Sequence, residues 1–250
     1  MRRNPAKQRL DLLLVERGLA ESRQKAQAML LAGEVRVDGQ RREKPGEQIP
    51  VVSRIEIEST HAKYASRGGF KLEGALADFG LNPLNRVCLD VGSSTGGFTD
   101  CLLQRGAARV YAVDVTPEQM AWRLQQDPRV VRIARNAREL KRADVADGYG
   151  PIELVTIDVS FISVAKILPA VVPIAHGGAH FLILIKPQFE LDRGDIGKGG
   201  IVRDAALHER AIARVTSAAR ACGLAPLGVK PSHLPGAEGN QEFFLHAVSS

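Results

Sequence analysis

The sequence predicts an α/β fold: an open, mostly parallel sheet with helices on both faces, preceded by a small basic α+β module. Three observations predict it. From residue 86 onward, short apolar runs alternate with helix-like segments, the pattern of a parallel sheet whose crossovers cover both faces. Over residues 9–40, two amphipathic helical stretches precede a turn and an alternating strand. Between these regions, "STHAKYASRGG" (59–69) breaks all periodicity with small, polar and glycine residues. Residues 1–60 therefore read as one domain, 61–69 as a linker and 70–250 as a second domain.

The elements follow in order. Leu10, Leu13 and Leu14 share a helical face that stops at Gly18; Ser22 caps a second helix carrying Ala26, Met29 and Leu30, ended by Gly33. "EVRVDGQ" alternates and turns at Asp38-Gly39, and "SRIEIE" (53–58) alternates again. In the second domain "RVCLDVG" and "ARVYAVDV" are strands flanking a helix that presents Phe98, Cys101 and Leu102 on one face. "VVRIARNAREL" supplies a third strand, "PIELVTIDVS" and "AHFLILIKP" two buried ones, 204–221 a long alanine-rich helix, and "NQEFFLHAV" the last strand. Ligands of such a sheet belong at the carboxyl ends of its strands.

Composition narrows the function classes. A chain of 250 residues, 44% hydrophobic and 25% charged, is ordinary for a globular protein, and its apolar runs are too short or interrupted to span a bilayer. The basic start lacks an apolar signal core, so a cytoplasmic protein without membrane contact is expected. Cys88, Cys101 and Cys222 are scattered without metal-ligand spacing, so no metal is expected. The net charge of +6 suits a polyanionic partner.

Basic residues concentrate in the first domain, eleven against six acidic over 1–44. Arg9, Arg23, Lys25, Arg36, Arg41 and Arg42 are candidates to meet phosphates, joined by Arg67 in the linker. Two short helices and a turn-strand unit carrying "RLD", "SRxxA" and "AGxVxVDG" resemble the RNA-binding domain first seen in ribosomal protein S-four.

"LDVGSSTGGFTD" (89–100) is a strand, a glycine loop and a helix start, the context of a nucleotide-type site. It lacks the G-x-G-x-x-G dinucleotide spacing. The form D-x-G-x-x-x-G-G resembles instead the first motif of S-adenosylmethionine-dependent methyltransferases. The resemblance implies a cofactor cradle of Gly92, Ser93, Thr95, Gly96, Gly97 and Phe98, with Asp90 toward the amino-acid end of the cofactor. Asp114, ending the next strand, is placed to accept both ribose hydroxyls. Asp158 ends its strand in "IDVSF" without the prolines of base amino-methylating enzymes, and no cysteine lies at a strand end for cytosine-C5 chemistry.

An alcohol as methyl acceptor needs its oxygen aligned and its proton removed. Lys186, in "FLILIKPQFE", emerges at the end of a buried strand that Pro187 interrupts, and Lys71, Asp158 and Glu242 fall where they can share its cleft. The set resembles the Lys-Asp-Lys-Glu tetrad of FtsJ-class ribose 2′-O-methyltransferases in order and in the contexts "RGGFK", "IKPQFE" and "GNQEFF". With the module in front, the chain resembles the TlyA family, which implies a seven-stranded Rossmann-like class I methyltransferase domain. It also implies S-adenosylmethionine as cofactor and transfer to cytidine ribose of ribosomal RNA within ribosomal subunits. Lys186 would then be the base or the hydroxyl-positioning group, with Lys71, Asp158 and Glu242 orienting it. Glu238 is the alternative to Glu242. Arg193, Lys198 and Arg203 lie in a glycine-rich segment (189–204) suited either to close over RNA or to serve as a plain connection. The family's historical label, haemolysin, adds membrane lysis as an alternative; an RNA-binding protein with an inactive methyltransferase domain is another.

Overall fold

Two stretches of alternating pattern become two separate units in the computed structural model, Met1–Lys63 and Tyr64–Ser250. It describes residues 6–31, 34–57, 63–145, 148–197, 200–236 and 239–250, apart from the side chain of Arg193. Gly33, Lys198 and Glu238 lie outside the described residues.

In the first unit β1 (Lys7–Arg9) leads directly into α1 (Leu10–Glu16), followed by α2 (Arg23–Leu31). β2 (Val35–Val37) and β3 (Gln40–Arg42) form a hairpin, and β5 (Ile55–Ile57) pairs with the other edge of β2, while β4 (Gln48–Pro50) pairs with β1. The hairpin turns at Asp38 and Gly39, both at positive φ (50° and 80°), the twist that a two-residue turn between right-twisted strands requires. Leu10, Leu13, Leu14, Ala26, Met29 and Leu30 form the core with Val35, Val37 and Ile49. β1 and β4 carry no alternation that marks a strand, since KQR has no apolar residue and QIP only one beside a proline, whereas VRV and IEI of β2 and β5 alternate.

In the second unit α3 (Arg67–Asp78) begins inside the span that reads as linker, with Ser66 Oγ accepting from the Gly68 N–H. Next come β6 (Val87–Val91), α4 (Gly97–Gln104), β7 (Arg109–Asp114), α5 (Trp122–Gln125), β8 (Val130–Ala134), β9 (Leu154–Ile157) and α6 (Leu168–Val171). β10 (His180–Ile185), α7 (Pro187–Glu190), α8 (Ala205–Ala221), β11 (Leu224–Pro231) and β12 (Phe243–Ser249) complete it.

The seven strands lie in the order β11-β12-β10-β9-β6-β7-β8. β8, β7, β6, β9 and β10 are parallel, and β12 runs antiparallel to both its neighbours. The sheet is buried on both faces: Leu89, Val91, Phe181, Ile183 and Ile185 enter one core, and Cys88, Leu182 and Leu184 the other, the period-two alternation of a strand. Chain order reverses between β6 and β9, which opens a crevice at their carboxyl ends. β11 was not read from the sequence. It contains Pro226 and Pro231 and a register shift at Pro226/Gly228, and its edge position tolerates the missing donors. Among the described residues no helix is long and apolar enough to cross a membrane.

Candidate active site

Four of the candidate side chains stand at strand ends around the crevice. Asp114 is the last residue of β7; Asp158 and Lys186 directly follow β9 and β10; Glu242 directly precedes β12. Lys71 comes from α3. The glycine loop between β6 and α4 lines two adjoining cavities, both touched by Gly92, Ser94, Asp158 and Ser160. The smaller, about 230 Å³, is also lined by Lys71, Lys186, Ser93, Thr95, Gly97 and Phe98. The larger, about 1140 Å³, carries Asp114, Arg135, Asn136 and Phe161.

The four charged residues form two ion pairs. Lys71 Nζ donates to Glu242 Oε2 at 2.5 Å, with side chains only 10% and 2% exposed. Lys186 Nζ lies 2.6 Å from Asp158 Oδ1, an ion contact without hydrogen-bond alignment, and directs its hydrogen bond to Ser160 Oγ at 2.9 Å. Both amines reach the smaller cavity, while Glu242 sits behind Lys71.

The glycines of the loop do separate things. Gly92 is at φ +86°, and a Cβ there would overlap the Asp158 carbonyl oxygen, so the loop and the end of β9 can approach only with glycine. A Cβ on Gly97 would overlap Ser66 Oγ, the cap of α3. Gly96 forms the left-handed cap of α4 and packs on Leu124 rather than on the cavity. Asp114 is tied into the loop: Oδ2 accepts from the Ser94 N–H (2.9 Å) and Oδ1 from the N–H of Thr116 (2.9 Å).

Asp90 departs from expectation. It is fully buried and lines neither cavity; Thr99 on α4 (2.6 Å) and Thr156 on β9 (3.0 Å) donate to its two oxygens. Burial pushes its carboxyl up to about 6, against those hydrogen bonds. As the penultimate residue of β6 it turns into the packed layer under α4, where it anchors the helix that follows the loop. Phe98 touches the smaller cavity yet is mostly core, stacked 6.1 Å from Phe244.

Sequence reasoning missed Ser160, Ser66, Ser94 and Phe161. The first three are small polar residues whose role depends on what lies across the crevice. Phe161 carried a signal of sorts, an aromatic next to Ser160 in "DVSF"; it is 92% exposed at φ +63°. Among the described residues no cluster of three or more His, Cys, Asp or Glu side chains could hold a metal.

In the first unit the basic residues divide. Arg9 (2.9 Å) and Arg23 (3.0 Å) both bind the fully buried Asp11, joined by Gln27 (3.0 Å), so these two arginines organise the helices. The guanidinium of Arg9 beside Asp11 holds its carboxyl well below the usual carboxylate range. Arg36 donates to the Gly39 carbonyl (3.0 Å), Arg41 pairs with Glu43 (3.1 Å) and Arg42 with Glu47 (3.0 Å), while Lys25 is exposed. In the second unit Arg67 is exposed at the rim of the smaller cavity and donates to the Pro235 carbonyl (3.3 Å), and Arg203 is exposed.

Residues 64–248 match the FtsJ-like methyltransferase family and residues 8–53 the S4 domain. The 16S/23S rRNA (cytidine-2′-O)-methyltransferase TlyA of Mycobacterium tuberculosis is 45% identical, over 95% of this chain and 88% of that protein. Hemolysin A of Brachyspira hyodysenteriae is 41% identical, over 96% of this chain and 99% of that protein. A solved structure from Streptococcus thermophilus is 41% identical and superposes with a TM-score of 0.73, covering 99% of this chain and 90% of that one.

Proposed function

The chain belongs to the TlyA group of FtsJ-like methyltransferases, and on that premise we propose that it methylates the ribose 2′-hydroxyl of a cytidine in ribosomal RNA, acting on ribosomal subunits in the cytoplasm. The observation that carries the reading is the pair of amine–carboxylate contacts, Lys186 with Asp158 and Lys71 with Glu242, at the wall of a glycine-loop cavity.

The residues present fit S-adenosylmethionine. Ser93 lines the smaller cavity, and among the described residues its buried Oγ has no partner, a deficit that a polar ligand would meet. Asp114 faces the larger cavity with lone pairs left for two ribose hydroxyls. Gly92 and Gly97 let the loop pack closely on the end of β9 and the start of α3, which shapes the smaller cavity. When bound, the cofactor supplies an electrophilic methyl group.

The chain's own residues then do the rest. Lys186 Nζ, held by Asp158 and Ser160, would hold the hydroxyl oxygen toward the methyl as the ammonium, or take its proton as the neutral amine, the proton then residing on Nζ beside the Asp158 carboxylate. Lys71, fixed by Glu242, adds a second oriented charge to the same wall. The S4 domain supplies phosphate contacts through Lys25, Arg36, Arg41 and Arg42, which position RNA without reading its sequence.

Mapping ribose methylation in ribosomal RNA with wild type and Lys186→Ala tests the reading. Loss of the modification with cofactor and RNA binding retained is expected; an unchanged rate removes Lys186 from the mechanism. The name of the Brachyspira relative keeps a lytic reading open, and release of haemoglobin from red cells by the purified protein, with no methyl transfer to RNA, would favour it.

A further inference from the structure

Resting on that reading, we propose that Glu190 is a positioning residue for methyl transfer. Its buried carboxylate clasps the segment after β9 to the segment after β10 and so fixes where Lys186, Asp158 and Ser160 meet.

Glu190 closes α7, one helical turn beyond Lys186, and is 1% exposed. Its Oε2 accepts from Ser163 Oγ at 2.6 Å and its Oε1 from the Val164 N–H at 2.8 Å. Ser163 lies five residues beyond Asp158. Two short segments that each carry a reacting-site residue are thus cross-linked at both ends. At the open end Lys186 meets Asp158 and Ser160; at the buried end Glu190 meets Ser163 and Val164. Between them the rings of Phe161 and Phe189 pack with centroids 5.2 Å apart.

Two further facts support a clasp over passive filling. A buried carboxylate is costly unless its hydrogen bonds are met, so a site needing only bulk would hold an apolar residue. Burial does push the Glu190 carboxyl above its ordinary range, against the Ser163 and Val164 hydrogen bonds and the nearby Arg214. Second, Phe161 stands at φ +63°, a conformation an aromatic residue keeps only where its surroundings over-determine it. The bonds to Ser163 and Val164, two and three residues on, supply that constraint. Arg214 of α8 donates to the Glu190 carbonyl at 2.7 Å, which backs α7 from the other side.

Glu190→Gln keeps the shape and loses one acceptor. With ribosomal subunits as substrate, kcat is expected to fall at least about tenfold, because small misplacements of reacting groups are expensive in rate. The KM for RNA and the Kd for S-adenosylhomocysteine change by less than about twofold. Amide exchange across 159–164 accelerates while the sheet stays protected. Ser163→Ala retains the carboxylate and the Val164 bond; it loses less kcat in the same direction and serves if Glu190→Gln fails to fold. A folded Glu190→Gln with wild-type kcat and wild-type exchange overturns the proposal, as does a loss that appears equally in cofactor affinity. If wild type itself methylates no ribosomal RNA, the proposed function fails, and the exchange measurement still decides whether the clasp exists.

Discussion

Removing the Glu242 carboxylate leaves the ammonium of Lys71 inside the protein without a counter-charge. At an effective dielectric constant of about 20, unit charges 2.5 Å apart attract by about 7 kcal/mol. Desolvation of both groups, 10% and 2% exposed, offsets much of this, so the informative quantity is the asymmetry between breaking the pair and replacing it. Glu242→Ala is expected to destabilise the Tyr64–Ser250 unit by about 3–5 kcal/mol. At about 2–4 °C per kcal/mol for a domain of this size, its Tm falls by about 10 °C. The double variant Lys71→Met with Glu242→Leu fills the same space without charge and recovers stability to within about 1 kcal/mol of wild type. Circular dichroism reads the stability, and labelled methyl transfer to ribosomal subunits, assayed below both transitions, reads the activity. The double variant should be stable and inactive. Wild-type turnover by it would refute a functional role for the pair, and an unchanged Tm in Glu242→Ala would refute the energetics.

Gly92→Ala forces a side chain at φ +86° into the Asp158 carbonyl; titration with S-adenosylhomocysteine should show affinity reduced more than about tenfold, with about 1–3 kcal/mol lost in urea unfolding. Asp114→Ala removes the carboxylate proposed to hold the cofactor ribose and should weaken the same binding by about 1.5–3 kcal/mol while the far-UV spectrum is unchanged. His180 Nδ1 and His246 Nε2 lie 3.0 Å apart, and burial lowers both proton affinities, with Arg86 adding at His180 and His180 itself at His246. For these two rings the unfolded chain binds more protons than the folded one, so their contribution to stability is present above about pH 6.5 and lost as pH falls below it, while the raised carboxyls of Asp90 and Glu190 act in the opposite direction; the test is therefore the difference, and His246→Gln should gain Tm relative to wild type on going from about pH 7.5 to about 5.5. Arg9→Ala should lower the Tm of the first unit through Asp11, whereas Lys25→Ala should leave it unchanged and reduce the salt slope of RNA binding by about 1.

Much of the site was legible because parallel strands deliver their last residues to one edge. Following apolar runs to their first polar residue leads to Asp114, Asp158 and Lys186, which stand at strand ends in the structure, and the glycine loop is marked by its place between strand and helix. Asp90 misled for the same reason: an acid near a strand end reads as cleft-facing, yet one residue short of that end it turns inward to Thr99 and Thr156. Arg9 and Arg23 read as phosphate ligands because the buried Asp11 looks, in sequence, like any other charge on a helix. β11 was invisible because an edge strand with two prolines carries no buried alternation.

By itself the sequence determined the order of the core strands and main helices, the glycine loop between strand and helix, and which charged residues stand at strand ends. These depend on backbone requirements and on periodicities that neighbouring residues record. Only the tertiary structure decided who meets whom: Lys71 with Glu242 across 171 residues, Lys186 with Asp158 and Ser160, Glu190 with Ser163 and Val164. Such pairings follow from strand order and register, which bring distant segments side by side and which no local pattern encodes.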